Sequence, residues 1–133
     1  MQGHTMHGHV RPAAVAGMFY PADPEALRSL IQSMLDAVQV TGEERAPKAV
    51  IAPHAGYIYS GPVAASVYAR IRHMRDTVTR VVLIGPSHRV AFSGLAVSSA
   101  DAFATPLGNV PVDRDAVQSL LQHDPYLLLA DFA

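Results

Sequence analysis

Residues 49–54 of the chain are Ala-Val-Ile-Ala-Pro-His, and residues 81–88 are Val-Val-Leu-Ile-Gly-Pro-Ser-His. Each stretch begins with four consecutive apolar residues and then breaks at proline or at glycine followed by proline. This pattern is typical of a short strand that is buried on both faces, as in a parallel sheet covered by helices. The sequence therefore predicts two buried strands, Ala49–Ala52 and Val81–Ile84, each followed closely by a histidine.

Periodicity and capping residues predict the remaining helices and strands. Apolar residues at three- and four-residue steps indicate helices, and Asp23 followed by Pro24 is typical of a helix start. In chain order, the other predicted elements are a helix at Pro24–Gln39, a helix at Pro62–Met74, a strand at Leu95–Ser98, an irregular segment at Asp101–Pro111 and a helix that Asp113 caps and that ends near His123. The order helix, strand, helix, strand, strand, helix predicts an α/β fold with a mainly parallel sheet.

The amino-acid composition excludes several classes of protein. The chain has 133 residues, of which 50% are hydrophobic and only 16% are charged, and these values exclude intrinsic disorder. The net charge of −1 gives no basic field for nucleic acid. There is no cysteine, and therefore no disulfide or thiolate metal site. With no candidate membrane span or signal peptide in the sequence, we expect a soluble, cytoplasmic protein that binds neither nucleic acid nor membrane.

The first ten residues differ from the rest of the chain. They are polar, contain glycine and show no periodicity, which predicts a mobile tail over residues 1–10. Three histidines in this tail, His4, His7 and His9, could hold a metal ion loosely. Residues 11–133 are expected to form a single α/β domain.

Two histidines are the main candidates for chemistry. If the helix between the two predicted buried strands is an ordinary right-handed crossover, the strands are parallel. His54 and His88 then emerge at the carboxyl edge of the sheet, where open α/β folds place their sites. Imidazole is a common ligand of iron, copper and zinc. The alternative is that both are loop histidines satisfied by backbone hydrogen bonds, and the spacing alone leaves both interpretations open.

The other polar residues near these histidines are less specific. Asp113 is a candidate third ligand, but an N-cap role explains it as well, and Asp115 and Asp101 have similar alternatives. Ser60 and Ser87 lie near the histidines without a Gly-x-Ser-x-Gly motif, which argues against a serine hydrolase. Tyr57 and Tyr59 could contact a ligand or could pack beneath the loop.

Four blocks of this sequence resemble the Memo-like family, whose bacterial and archaeal members are called AmmeMemoRadiSam system protein B. The blocks are Val15–Pro21, Ile51–Gly61, Leu83–His88, and Thr105–Gly108 followed by Val112-Asp113. Their order matches the family, and together they span most of the chain. The resemblance covers the N-terminal half of the family pattern, because a further block of the type Glu-His-Ser-Leu-Glu is expected about where this sequence stops.

The resemblance implies a fold similar to that of the class III extradiol dioxygenases, with a central sheet and helices on both faces. It implies that His54 and His88 are metal ligands, of Fe(II) or copper with zinc as a substitute, in a site related to redox or dioxygenase chemistry. Because the family's third metal position lies later in the sequence, we expect this chain alone to lack a complete site. The residues expected to line the cleft are Tyr57, Tyr59, Ser60, Ser87 and Asp113.

An alternative function uses the same cleft without a metal. In that interpretation the chain is a non-enzymatic module that binds a peptide or a small anion between the histidines and the two tyrosines. We also expect exposed apolar surface, because the segment Tyr126–Ala130 has no polar side. The sequence thus predicts either self-association or binding to a separate C-terminal half.

Overall fold

The computed structural model describes residues 8–42 and 45–130, which contain three α-helices and five short strands. These residues fall into two compact units, one formed by Ala14–Val81 and the other by the segments on either side of it. In chain order the elements are β1 (Val10–Arg11), α1 (Pro24–Asp36), α2 (Tyr57–Arg70), β2 (Leu95–Val97), β3 (Ala102–Thr105), β4 (Gly108–Pro111), α3 (Arg114–His123) and β5 (Leu127–Leu129). The fold is therefore a mixture of helices and small sheets.

Helix α1 begins where the sequence predicts. The Asp23 carboxylate accepts a hydrogen bond from the Ala26 backbone N–H at 2.8 Å, and Pro24 occupies the first helical position. The helix ends at Asp36, three residues before the predicted Gln39. At this end the Val38 N–H bonds to the Leu35 carbonyl, an i to i−3 bond that tightens the last turn and ends the α-helical pattern.

Helix α2 begins five residues earlier than predicted, at Tyr57 instead of Pro62. The Gly56 carbonyl accepts the N–H groups of Tyr59 and Ser60 and so starts the helix. Pro62 lies inside the helix. The sequence predicts a helix start at Pro62 because proline is common in the first turn, where the missing N–H leaves no hydrogen bond unmade. The helix ends at Arg70 and is followed by a 3-10 helix, Arg72–Met74, so that the predicted end at Met74 includes a change of helix type.

Small residues allow α1 and α2 to pack together. Gly61, Ala65 and Ala69 recur at four-residue intervals and are buried, which places them on one face of α2. A β-carbon at Gly61 would lie 2.7 Å from the sulfur of Met34 on α1, so the two helices approach closely there. Arg72 adds an exposed ion pair, with its guanidinium 3.0 Å from the Asp36 carboxylate at the end of α1.

The second unit contains two small sheets. In the three-stranded sheet, β1 pairs in parallel with β3, and β3 pairs antiparallel with β4. In the two-stranded sheet, β2 pairs in parallel with β5. The Asp101 carboxylate accepts the His9 backbone N–H at 2.7 Å and lies 3.7 Å from the Arg114 guanidinium, which ties the segment before β1 to the start of α3.

Several predictions need correction in this unit. The segment Asp101–Pro111 is a hairpin and not irregular, because the Thr105 hydroxyl donates to the Gly108 carbonyl at 2.8 Å and Gly108 takes a φ of 124° that closes the turn. The predicted strand at Leu95–Ser98 is confirmed as β2, one residue shorter. Residues 1–7 of the predicted tail lie outside the described residues, whereas Val10 belongs to β1.

The two predicted buried strands are not formed. Within the described residues, neither Ala49–Ala52 nor Val81–Ile84 belongs to a strand, and the side chains of Ile51 and Leu83 are 95% and 86% exposed. A strand requires a neighbouring backbone to pair with, and none of the described strands pairs with either segment. In Tyr126–Ala130 the backbone of β5 pairs with β2, and the side chains of Tyr126 and Leu129 are 74% and 53% exposed, so the apolar surface predicted for this segment is present.

Among the described residues, the helices are too short or too polar for any of them to cross a bilayer.

Candidate functional site

His54 lies in a well-anchored loop that leads into α2. The imidazole is exposed, and the residues that follow it are held by two hydrogen bonds. The Ser60 hydroxyl donates to the Ala55 carbonyl at 2.9 Å, and the Tyr57 N–H donates to the Phe19 carbonyl at 2.8 Å. These bonds fix the backbone next to His54.

Gly56 permits the close approach of this loop to the preceding segment. It is buried, and a β-carbon there would lie 3.5 Å from the Phe19 carbonyl oxygen. Phe19 belongs to a turn in which the Gly17 N–H bonds to the Tyr20 carbonyl at 2.8 Å, with Gly17 at a φ of 81°. The Phe19–Tyr20 segment thus lies against the loop that carries His54 and is hydrogen-bonded to it through the Phe19 carbonyl.

Tyr57 packs against Tyr20, with ring centroids 5.5 Å apart and ring planes tilted by 47°. Partial burial, followed by the neighbouring phenols of Tyr20 and Tyr68, raises the pKa of Tyr57 above its ordinary value. The phenol is therefore protonated at neutral pH. Its contacts favour the packing alternative for this residue.

Tyr59 and Ser60 differ in exposure. Tyr59 is 82% exposed beside the His54 loop, so its ring is available to a ligand. Ser60 is buried and its hydroxyl donates to Ala55, which gives it a structural role at the start of α2. Of the three predicted cleft-lining residues in this loop and helix, only Tyr59 presents an exposed side chain.

His88 lies in the other unit, on an exposed segment that follows Gly85-Pro86. The neighbouring Ser87 hydroxyl donates to the Val90 carbonyl at 2.6 Å and so closes a short turn around His88. His54 therefore belongs to one unit and His88 to the other. Because the two predicted strands are absent, the sheet-edge argument does not apply to this structure, and the pairing of His54 with His88 stays a prediction.

The three candidate aspartates have identifiable structural contacts or positions. The Asp113 carboxylate accepts the Ala116 N–H at 3.0 Å and caps α3, as the capping alternative predicts. Asp115 lies in the first turn of α3, and Asp101 pairs with Arg114 and the His9 backbone. Over residues 8–42 and 45–130, no three histidine, aspartate or glutamate side chains converge into a metal-holding group.

Sequence reasoning overlooked the contribution of Phe19 and Tyr20. The sequence places both in the block Val15–Pro21 but gives no signal that either lies near His54. The usable signal was the glycine two residues before Phe19, which predicts a tight turn. A carbonyl in such a turn is oriented by the backbone alone, so no side-chain pattern identifies it as the acceptor for Tyr57.

Comparison with known proteins identifies the family. Residues 11–132 match the family described as Memo-like protein. The chain belongs to the Memo-like family. It is similar to a MEMO1 family protein of Aquifex aeolicus, with 42% identity over 117 residues that cover 88% of this chain and 41% of the relative. A MEMO1 family protein of Methanothermobacter thermautotrophicus is 37% identical over 131 residues, covering 93% of this chain and 47% of the relative.

The family extends to eukaryotes, since a MEMO1 family protein of Saccharomyces cerevisiae is 35% identical over 116 residues. That match covers 86% of this chain and 34% of the yeast protein. The chain spans less than half the length of these curated relatives. Membership of the family therefore does not by itself give this chain the activity of a whole Memo-like protein.

Proposed function

We propose that this chain supplies two imidazole ligands, His54 and His88, to a metal site related to that of the class III extradiol dioxygenases. The support is the chain's membership of the Memo-like family together with the anchored loop that carries His54. The finer fold implied by that relationship, a parallel central sheet with helices on both faces, belongs to the same proposal. Fe(II) or copper is the proposed metal, and zinc is a substitute.

The imidazoles of His54 and His88 could supply two of the ligands that such a site needs. Two neutral imidazoles suit iron, copper and zinc, and leave the remaining coordination positions to other ligands. Since no third ligand converges within the described residues, this chain alone is expected to hold an ion weakly. When bound, iron or copper would supply the electron exchange that redox chemistry needs.

The chain's own residues would position what binds beside the metal. The exposed ring of Tyr59 offers a face on which a substrate can stack. Tyr57 and Ser60 hold the loop, through the Phe19 and Ala55 carbonyls respectively. Ser87 and the Val90 carbonyl hold the turn that carries His88. Asp113 acts as a helix cap and is not proposed as a ligand.

The test is metal affinity in a background that lacks the tail histidines. Variants His54→Ala, His88→Ala and the double substitution are compared by calorimetric titration with Zn²⁺, and with Fe²⁺ under anaerobic conditions. Each single substitution should weaken binding at least about tenfold, because each removes half of the protein ligands. The double substitution should add little to either, since one ligand alone retains little affinity. His123→Ala is the matched control, because that ring is already engaged with the Ser119 carbonyl at 2.7 Å.

Two outcomes would contradict the proposal. If His88→Ala binds Zn²⁺ as tightly as the parent chain, the two histidines do not share an ion. If each single substitution removes one of two bound Zn²⁺ ions and leaves the affinity for the other unchanged, the histidines belong to separate weak sites.

The exposure of Tyr59 also favours a second candidate, the non-enzymatic module that binds a peptide or small anion. In that case Tyr59→Ala reduces peptide binding, while the metal titration is unchanged between the parent chain and the histidine variants.

A further inference from the structure

The turn Val15–Tyr20 is closed by its own backbone. The Phe19 N–H donates to the Val15 carbonyl at 2.9 Å. The Gly17 N–H donates to the Tyr20 carbonyl at 2.8 Å. Gly17 takes a φ of 81°, a conformation that glycine adopts without strain. These bonds fix the backbone on both sides of the Phe19 carbonyl.

Tyr20 connects this turn to the start of α2. Its ring lies against that of Tyr57, with the two centroids 5.5 Å apart. The Tyr57 N–H donates to the Phe19 carbonyl at 2.8 Å, so the first residue of α2 is held through both its ring and its backbone. Gly56 packs on the same segment, since a β-carbon there would lie 3.6 Å from the Phe19 Cα. Both contacts are made within three residues of His54.

We propose that Tyr20 and the turn it closes are positioning elements for His54. The ring of Tyr20 keeps the Tyr57 N–H on the Phe19 carbonyl, and this bond restricts the loop that presents the imidazole. The inference rests on the proposed function, because the order of this loop affects metal binding only if His54 is a ligand. A ligand on a mobile loop binds an ion less tightly, since the loop must lose conformational entropy when the ion binds.

Two measurements on the full 133-residue chain test this role, in the background that lacks the tail histidines. In the metal-free chain, ¹⁵N relaxation should give backbone order parameters of about 0.85 at residues 55–57, and Tyr20→Ala should lower them to about 0.6. In calorimetric titration with Zn²⁺, Tyr20→Ala should weaken binding about tenfold, as the loss of a group that orients a metal ligand commonly does. Tyr20→Phe keeps the ring and should match the parent chain in both measurements.

A second variant disturbs the turn and leaves both tyrosine rings in place. Gly17→Ala puts a β-carbon on a residue with a φ of 81°, so the backbone of the turn must shift and carry the Phe19 carbonyl with it. The order parameters and the Zn²⁺ affinity should fall as they do in Tyr20→Ala. Leu30→Ala is the control, because it shortens an apolar side chain on α1 in the same unit, and it should change neither measurement. Circular dichroism checks that each variant folds.

Failure of this inference can be told apart from failure of the proposed function. The positioning role is wrong if the order parameters at residues 55–57 stay unchanged in Tyr20→Ala and Gly17→Ala, or if Leu30→Ala lowers them equally. It is also wrong if these variants bind Zn²⁺ as tightly as the parent chain while His54→Ala binds it more weakly; the proposed function then stands. If His54→Ala itself leaves the Zn²⁺ affinity unchanged, the proposed function fails, and the positioning role fails with it whatever the order parameters are.

Discussion

A side chain at Gly61 would collide with the sulfur of Met34, 2.7 Å from the β-carbon position, at the contact of α1 with α2. Gly61→Val should therefore destabilise the chain by about 1 kcal/mol, at the low end of the range for overpacking, because the obstructing atoms lie near the end of a flexible side chain that can move aside. Urea denaturation followed by circular dichroism measures the loss. Gly85→Val is the control and should change stability by less than about 0.5 kcal/mol, because Gly85 is exposed and has open space around it.

Shortening Met34 tests whether this collision is the cause. In the Gly61→Val background, Met34→Ala should recover part of the lost stability, because the sulfur that obstructs the new side chain is gone. If the double variant instead loses the sum of the two single losses, the effect of Gly61→Val lies in the backbone and not in the contact.

Tyr57 should make stability depend on pH in the alkaline range. Its folded-state pKa is raised by burial and by Tyr20 and Tyr68, whereas in the unfolded chain it should titrate near the ordinary tyrosine value of about 10. A raised pKa means that its contribution is fully present below about pH 10 and is lost as pH rises through the folded pKa. Tyr57→Phe should flatten this decline in urea denaturation. An identical decline in both proteins would contradict the assignment.

At the level of single elements, substitutions at Asp113 distinguish its two candidate roles, the N-cap of α3 and a metal ligand. Its carboxylate accepts the Ala116 N–H, and asparagine caps a helix about as well as aspartate does. Asp113→Asn should thus retain both stability and Zn²⁺ affinity, while Asp113→Ala should lose about 1 kcal/mol of stability. Asp115→Ala is the control in the same turn. A loss of Zn²⁺ affinity in Asp113→Asn would show that the carboxylate is a ligand after all.

The starts of α1 and α3 were predictable because their capping signals are local. Asp23 followed by Pro24, and Asp113 before an amphipathic segment, each define a cap within a few residues. The hairpin at β3 and β4 was missed although Pro106 and Gly108 mark its turn, because the flanking segments lack clear alternation. The apolar run of Val81–Ile84 could not be assigned from composition, since strand formation depends on partners elsewhere in the chain.

The candidate site was predictable to a similar degree. The loop position of His54 was predicted from the break at Pro53, although the strand predicted before it does not form, and the cap role of Asp113 was one of two alternatives drawn from its sequence context. The hydrogen bond from Tyr57 to the Phe19 carbonyl was not predictable, because it joins residues 38 positions apart through backbone atoms. Pairing of the two histidines depends on tertiary structure, which no spacing in the sequence determines.

For the whole molecule, the decisive property is how little apolar side-chain volume is buried. In the part of the chain that the structure describes, no large side chain is fully buried, and the buried apolar residues are Leu27, Ala65, Ala69 and Ala100. Hydrophobic stabilisation is roughly proportional to the apolar area removed from water. The chain alone should therefore gain less from folding than an ordinary domain of its length.

The heat capacity of unfolding should reveal this directly. A typical domain of 133 residues would show a change of about 1.6–2.0 kcal/mol/K, because unfolding exposes apolar surface in proportion to length. Since residues such as Ile51 and Leu83 are already exposed, we expect less than about 1 kcal/mol/K for this chain in scanning calorimetry. A full-sized value for the chain alone would mean that these apolar segments are covered in solution without any partner.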